Sequence, residues 1–289
     1  MSLPNVTGDT AKLLRRNMRR AMRNRVISAL ALLAIGLPAL FLGGIPYYIL
    51  FGFFLVVASW EFVNIVVACG ARPSRWPIVI GVVLITAARY FFPAVATPAL
   101  AFSILTLMIF HLIDYERGRD QAGTDFAIGA GGLVYIGWVG SYLLDIRALD
   151  NGAWWVLFIL PTVWGVDTGA FMLGAAYGKH RMTPRLSPKK SWEGFAAGVF
   201  TSVLTGGFFA YAFSTWGPLN LDIWQGAIFG LFAGLLTPFG DLGVSMLKRQ
   251  AGLKDSGNLL PGHGGALDRI DSWLWGAVLG YYFVKLFVR

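Results

Sequence analysis

The chain has 289 residues, of which 56% are hydrophobic and only 13% charged, with a net charge of +9 at neutral pH. Soluble proteins carry about 25% charged residues, so this chain has too few charges to clothe a water-facing surface and a soluble domain is excluded. Its basic residues sit at the ends of apolar runs, which directs the positive charge to anionic lipid and phosphate and away from nucleic acid.

A helix needs roughly 20 apolar residues to cross the hydrocarbon. In chain order such stretches lie near 26–43, 45–69, 76–92, 98–113, 127–147, 153–177, 194–213, 223–247 and 272–288. They predict an all-α integral membrane protein of about nine transmembrane helices. Ahead of them, residues 1–25 form a basic segment. Within it, residues 10–25 put Leu14, Met18, Ala21 and Met22 on one helical face with arginines elsewhere. That pattern suits a helix on an anionic leaflet and equally a plain topogenic flank. The run that follows is long and lacks a small-residue cleavage site, so it reads as a retained anchor. Cys69, the single cysteine, excludes an internal disulfide and reads as an inert apolar residue within the second span. The 36 glycines suit closely packed membrane helices. No internal repeat is visible, so a carrier built of two equivalent halves is not suggested.

Lys/Arg bias sets the orientation. Segment 1–25 and the connections 70–76, 114–126, 178–193 and 248–271 lie on one side and hold 20 of the 24 Lys/Arg. Arg89, Arg147, Lys285 and Arg289 fall on the other side. A multi-pass protein of the cell membrane is predicted, with its N-terminus cytoplasmic and its C-terminus outside. Residues 26–159 form its N-terminal helices, and residues 160–289 a C-terminal region with a polar catalytic site at the cytoplasmic ends.

Charge within apolar spans is expensive and usually functional. Glu61 lies inside the second run without a partner visible in sequence and is assigned to packing. Asp167, late in the sixth, is open to two readings, a further ligand or a buried hydrogen-bond partner. Asp114, Glu116, Asp120 and Asp125 read as a solvated loop. The richest segment is 241–271. Asp241, Ser245, Lys248 and Arg249 share one helical face, the carboxylate deepest and the cations towards water. A polar loop follows with Lys254, Asp255, Gly257 and Pro261. His263, Gly264 and Gly265 then lead to Asp268, Arg269 and Asp271. Glycines before a helix start let backbone N–H groups approach an anion. Three carboxylates beside several cations suit a metal–phosphate site, since Mg2+ takes one or two carboxylates plus phosphate oxygens. The alternative is a solvated loop with ordinary ion pairs. Upstream, the loop 185–193 holds Arg185, Ser187, Lys189, Lys190 and Glu193, either a phosphate-closing loop or a positive anchor. Ser191 is placed to cap the next helix, and Glu193 falls one residue short of a capping box.

The gap-free pattern of Ser245, Lys248-Arg249, Lys254-Asp255, Gly257, His263-Gly264-Gly265, Asp268-Arg269 and Asp271 resembles the signature of the phosphatidate cytidylyltransferases, or CDP-diacylglycerol synthases. Asp167 to Ala170, Gly178-Lys179 and Ser187 to Gly194 are similar to that family's second conserved region. Together they cover about residues 160–275. The resemblance implies CTP and phosphatidic acid as substrates, a membrane-lipid partner and a homodimer. It implies Asp241, Asp268 and Asp271 as ligands of Mg2+ and a second cation such as K+, with pairing to Arg269 the alternative for Asp271. Lys248, Arg249, Lys254 and Arg269 become candidates for the phosphates, and Ser187, Lys189, Lys190, Glu193, Ser245, Gly264 and Gly265 for substrate contacts. His263 belongs to the same catalytic set. Phosphatidic acid already presents an anionic oxygen, so a general base is not required and a hydrogen-bonding or structural role is expected there. Two rival readings are a cytidylyltransferase for another lipid phosphate and an ion-coupled transporter using Asp167, Asp241 and Asp268.

Overall fold

The computed structural model describes residues 33–257 and 264–288. The basic segment 1–25 and His263 lie outside the described residues. A short apolar helix α1 (Leu33–Leu42) leads into α2 (Gly44–Ala68). Then come α3 (Arg75–Phe91), a 3-10 turn at Pro93–Val95 and α4 (Ala96–Glu116). Next, α5 (Ala122–Gly132) runs through a π-helical stretch, Leu133–Val139, to α6 (Tyr142–Ala148). After α7 (Gly152–Tyr177) come strands β1 (Arg181–Thr183) and β2 (Ser187–Ser191), and then α8 (Trp192–Thr215). The chain continues with α9 (Ile223–Leu236), α10 (Pro238–Gln250) and α11 (Leu267–Phe287).

Among the described residues, six stretches are long and apolar enough to cross a membrane: Gly44–Ala68, Pro93–Glu116, Ala122–Ala148, Gly152–Tyr177, Trp192–Thr215 and Ile223–Gln250. Helix α3 has 17 residues, and α11 carries Asp268, Arg269, Asp271 and Lys285. The protein is therefore a multi-pass helical membrane protein. Large apolar side chains such as Phe102, Phe171, Phe200 and Leu286 point outward, as lipid contact demands. Inside, one core gathers Tyr47, Phe158, Phe229 and Phe283, and a second gathers Ile65, Ile78, Leu133 and Leu274. Helices α8 and α9 touch backbone to backbone where Gly206 meets Gly226, a contact that any side chain would break.

Several expectations need correction. The 178–193 connection is not a plain loop but an antiparallel hairpin, pairing Arg181 with Ser191 and Thr183 with Ser187. Pro184 and Pro188 forbid a helix there, and Pro188, which has no N–H, is tolerated because a two-stranded hairpin has only edges. The 223–247 run is not one regular helix. Pro238 cannot donate to the ladder, so α10 starts afresh, and Asp241 sits in its first turn. Cys69 is exposed at the end of α2. Asp125 is not a solvated loop residue; it is buried, accepts the Arg72 N–H at 2.8 Å and pairs with Arg119 at 2.7 Å.

The bundle has two polar ends. One holds the connections between α2 and α3, α4 and α5, α7 and α8, and α10 and α11. The other holds the pair Arg89–Asp145, with the Tyr90 hydroxyl donating to the Gly44 carbonyl and Arg147 to the Leu40 carbonyl.

Candidate active site

Helix α10 delivers Lys248 and Arg249 in its last turn, where cations suit the negative end of the helix dipole. Their surroundings differ. Arg249 is exposed and donates to the carbonyls of Leu186 and Leu253, tying the hairpin to α10. Lys248 does not face water as its spacing suggested. It is buried, because its ammonium meets Asp268 at 2.5 Å, and a buried cation persists only when paired. Asp268, in the first turn of α11, also accepts the N–H groups of Ser256 at 2.7 Å and Gly265 at 3.2 Å.

The start of α11 has a second carboxylate. Its N-cap, Ala266, has no side-chain oxygen. Glu61 reaches across from α2 and accepts from Ala266 N at 3.0 Å, Leu267 N at 2.9 Å and the Ser256 hydroxyl at 2.8 Å. The Gly265, Ala266 and Leu267 amides are thus held by the protein's own carboxylates. Hydrogen bonds to a charged group contribute roughly 1.5–3 kcal/mol each, which sustains a carboxylate among apolar neighbours. Glu61 is therefore more than a packing residue. The cost of a charge within an apolar run signals that it has a partner, but nothing local identifies one 195 or more residues away.

Asp167, Asp241 and Asp271 lie on α7, α10 and α11 at the same end of the bundle, with Gly240 of α10 backed onto the Asp271 carbonyl. Asp241 pairs with Lys190 at 2.6 Å and accepts the Ser245 hydroxyl at 3.2 Å, as their shared helical face implies. Asp271 is buried and accepts the adjacent Ser272 N–H. Asp167 is exposed in the C-terminal half of α7. Among the described residues, neither Asp167 nor Asp271 forms an ion pair, and Asp271 does not take Arg269 as its partner. Sequence spacing grouped Asp241 and Asp271 with Asp268; tertiary structure adds Asp167 and sets Asp268 to one side against Lys248. Among the described residues, no three carboxylate, histidine or cysteine side chains already stand at metal-holding distance. The chemistry of the donors nonetheless fits a hard cation, since all are carboxylate oxygens and two lack a cationic partner.

The hairpin brings Lys190 into this cluster and leaves Lys189 and Arg185 exposed, with Ser187 half-buried. Ser191 caps α8 by accepting the Gly194 N–H at 3.1 Å. Glu193 turns back to accept the N–H groups of Lys179 and His180, both at 3.2 Å, and meets the His180 ring at 2.5 Å. That pairing closes the base of the hairpin, and the spacing along the chain does not reveal it. Lys254, Asp255 and Arg269 are exposed around the mouth. Gly264 adopts a φ of 81°, which favours glycine, and Gly265 is buried.

Compared with known proteins, residues 23–287 match the Cytidylyltransferase family. A phosphatidate cytidylyltransferase of Pseudomonas aeruginosa is 35% identical over 256 residues, covering 87% of this chain and 92% of that protein. One from Synechocystis is 33% identical over 91% of this chain and 96% of its own length. One from Staphylococcus aureus is 30% identical over 88% and 95% respectively.

Proposed function

Since this chain belongs to the cytidylyltransferase family, we propose that it transfers CMP from CTP to phosphatidic acid, giving CDP-diacylglycerol and pyrophosphate. A phosphate oxygen of the lipid forms a bond to the α-phosphorus of CTP, and the bond to the β-phosphate oxygen breaks with its electron pair. The observation that supports this reading best is the meeting of Asp167, Asp241 and Asp271 with Lys190, Lys248 and Arg269 at one end of the bundle. Several anionic groups must come together, so charge neutralisation and alignment carry the catalysis.

Asp241, Asp268 and Asp271 are the proposed ligands of Mg2+ and a second cation such as K+, with Asp167 joining them. Bound there, the metal supplies positive charge to the phosphates. Lys190, Lys189 and Ser187 on the hairpin, together with Arg269, Arg249 and Lys254, hold the triphosphate and the lipid phosphate. Lys248 keeps Asp268 in place and lends its charge to the cluster. Ser245 steadies Asp241, and Glu193 anchors the hairpin. Gly264 and Gly265 supply the close-packed turn before α11, and His263 is assigned a hydrogen-bonding or structural role.

The proposed topology has nine spans, a cytoplasmic N-terminus and site, an external C-terminus and a homodimeric assembly. The 20-to-4 division of Lys/Arg supports the orientation, and family resemblance supports the dimer. An ion-coupled transporter fits less well, because its site belongs near the midplane and these charges gather at one end. Purified protein in detergent, given CTP, phosphatidic acid and Mg2+, should release CDP-diacylglycerol and pyrophosphate in equal amounts. Turnover only with a polyprenyl or ether-linked lipid phosphate would move the assignment to that substrate; no CDP-lipid from any of them would end it. In a Cys69→Ser background, single cysteines at 70–76, 114–126, 178–193 and 248–271 should resist an impermeant thiol reagent in intact cells. Labelling of 248–271 from outside would overturn the orientation.

A further inference from the structure

We propose that Glu61 is a positioning residue for the proposed catalytic loop: from α2 it substitutes for the missing N-cap of α11 and thereby sets the Lys248–Asp268 pair and Arg269 against the phosphates. This role rests on the transferase reading of the same end of the bundle. Both carboxylate oxygens of Glu61 are engaged by the Ala266 and Leu267 amides and the Ser256 hydroxyl. These amides belong to the group that a helix start leaves without partners, and a carboxylate there also complements the helix dipole. Ser256 links the two acidic grips, donating its N–H to Asp268 and its hydroxyl to Glu61. Movement of Glu61 therefore passes to Asp268 through one residue and to α11 through two amides. The turn is built around this side chain: a Cβ at Gly257 or Gly265 would run into the Glu61 carboxylate. Glu61 is 5% exposed, so water cannot stand in for it.

Glu61→Gln keeps the shape but turns one acceptor into an NH2 donor facing donors. In full-length protein in detergent, the apparent KM for CTP should rise about tenfold and kcat should fall about tenfold. Loss of folded enzyme alone cannot move KM. Amide hydrogen exchange across 256 and 265–268 should accelerate, while α7 to α9 keep their protection. Ser256→Ala, which deletes one of the three donors, should shift both readouts the same way by a smaller factor. Wild-type KM and wild-type exchange at 265–268 in folded Glu61→Gln would overturn the role. So would a fall in kcat that merely follows the unfolded fraction. If Glu61→Gln does not fold, Ser256→Ala decides by the same two readouts. Should wild-type protein make no CDP-lipid, the transferase reading falls, and exchange at 265–268 still decides whether Glu61 holds the turn.

Discussion

The two polar ends of the bundle handle charge in opposite ways. At one end Arg89 is saturated by the protein. It pairs with Asp145 at 2.6 Å, donates to the Trp138 carbonyl at 2.9 Å and the Ser141 hydroxyl at 3.1 Å, and lies over the rings of Trp138 and Tyr142. At the other end, Asp167 and Asp271 crowd Asp241 with no ion pair of their own among the described residues. Half-buried charge that the fold fully satisfies is architecture. Acidic groups that the fold assembles without ion-pair partners have room for a cation, because a bound cation relieves the repulsion that otherwise keeps one of them protonated.

The largest effect expected from breaking this contrast is at Asp268. Asp268→Asn keeps the shape and removes the charge that holds Lys248, so kcat should fall about a thousandfold, on the scale of losing a key electrostatic stabiliser. Asp241→Asn should be similar and Asp271→Asn milder, and both should insert and purify normally. Asp268→Asn, which leaves Lys248 buried and unpaired, should also lose stability, so its kcat is taken per folded enzyme. Near-normal turnover of Asp268→Asn at saturating Mg2+ would remove it from the site. Metal removal sharpens the same point: EDTA should silence the wild type and Mg2+ restore it, and CDP-lipid made by metal-free enzyme would refute the metal centre. A step smaller is the hairpin. Changing both Lys189 and Lys190 to Gln should raise the KM for CTP about tenfold with the fold intact; unchanged CTP kinetics would return the hairpin to a topology signal. The smallest effect on chemistry is at Arg89. Arg89→Met leaves Asp145 uncompensated and should cost about 3–5 kcal/mol of stability, read as a lower unfolding temperature, with KM for CTP unchanged. A change in that KM would show that the two ends are coupled.

Much of this was legible along the chain. Hydropathy and helical spacing are local, so six of the nine apolar runs, the shared face of Asp241 and Ser245, and the cap at Ser191 could be read directly and are found. The signature around 245–271 carried the family assignment, which the comparisons bear out. Pro238 marked the break before α10 in the sequence itself, but the strand pairing of the hairpin and the buried state of Lys248 and Asp125 were not legible. Each depends on what stands opposite, and a pattern of residue types does not name its neighbour.

By itself the sequence determined that this chain must be helical and membrane-embedded, because an apolar backbone in lipid can satisfy its hydrogen bonds only internally. It also pointed to the segment proposed to carry the chemistry, because charge clustered against apolar runs is costly and is kept where it binds or reacts. Tertiary structure alone decided the partners. It brought Asp167 to Asp241 and Asp271, turned Lys248 inward to Asp268, and set Glu61 under the start of α11. Those contacts join residues as much as 206 positions apart, where helix packing, not chain proximity, sets the distance.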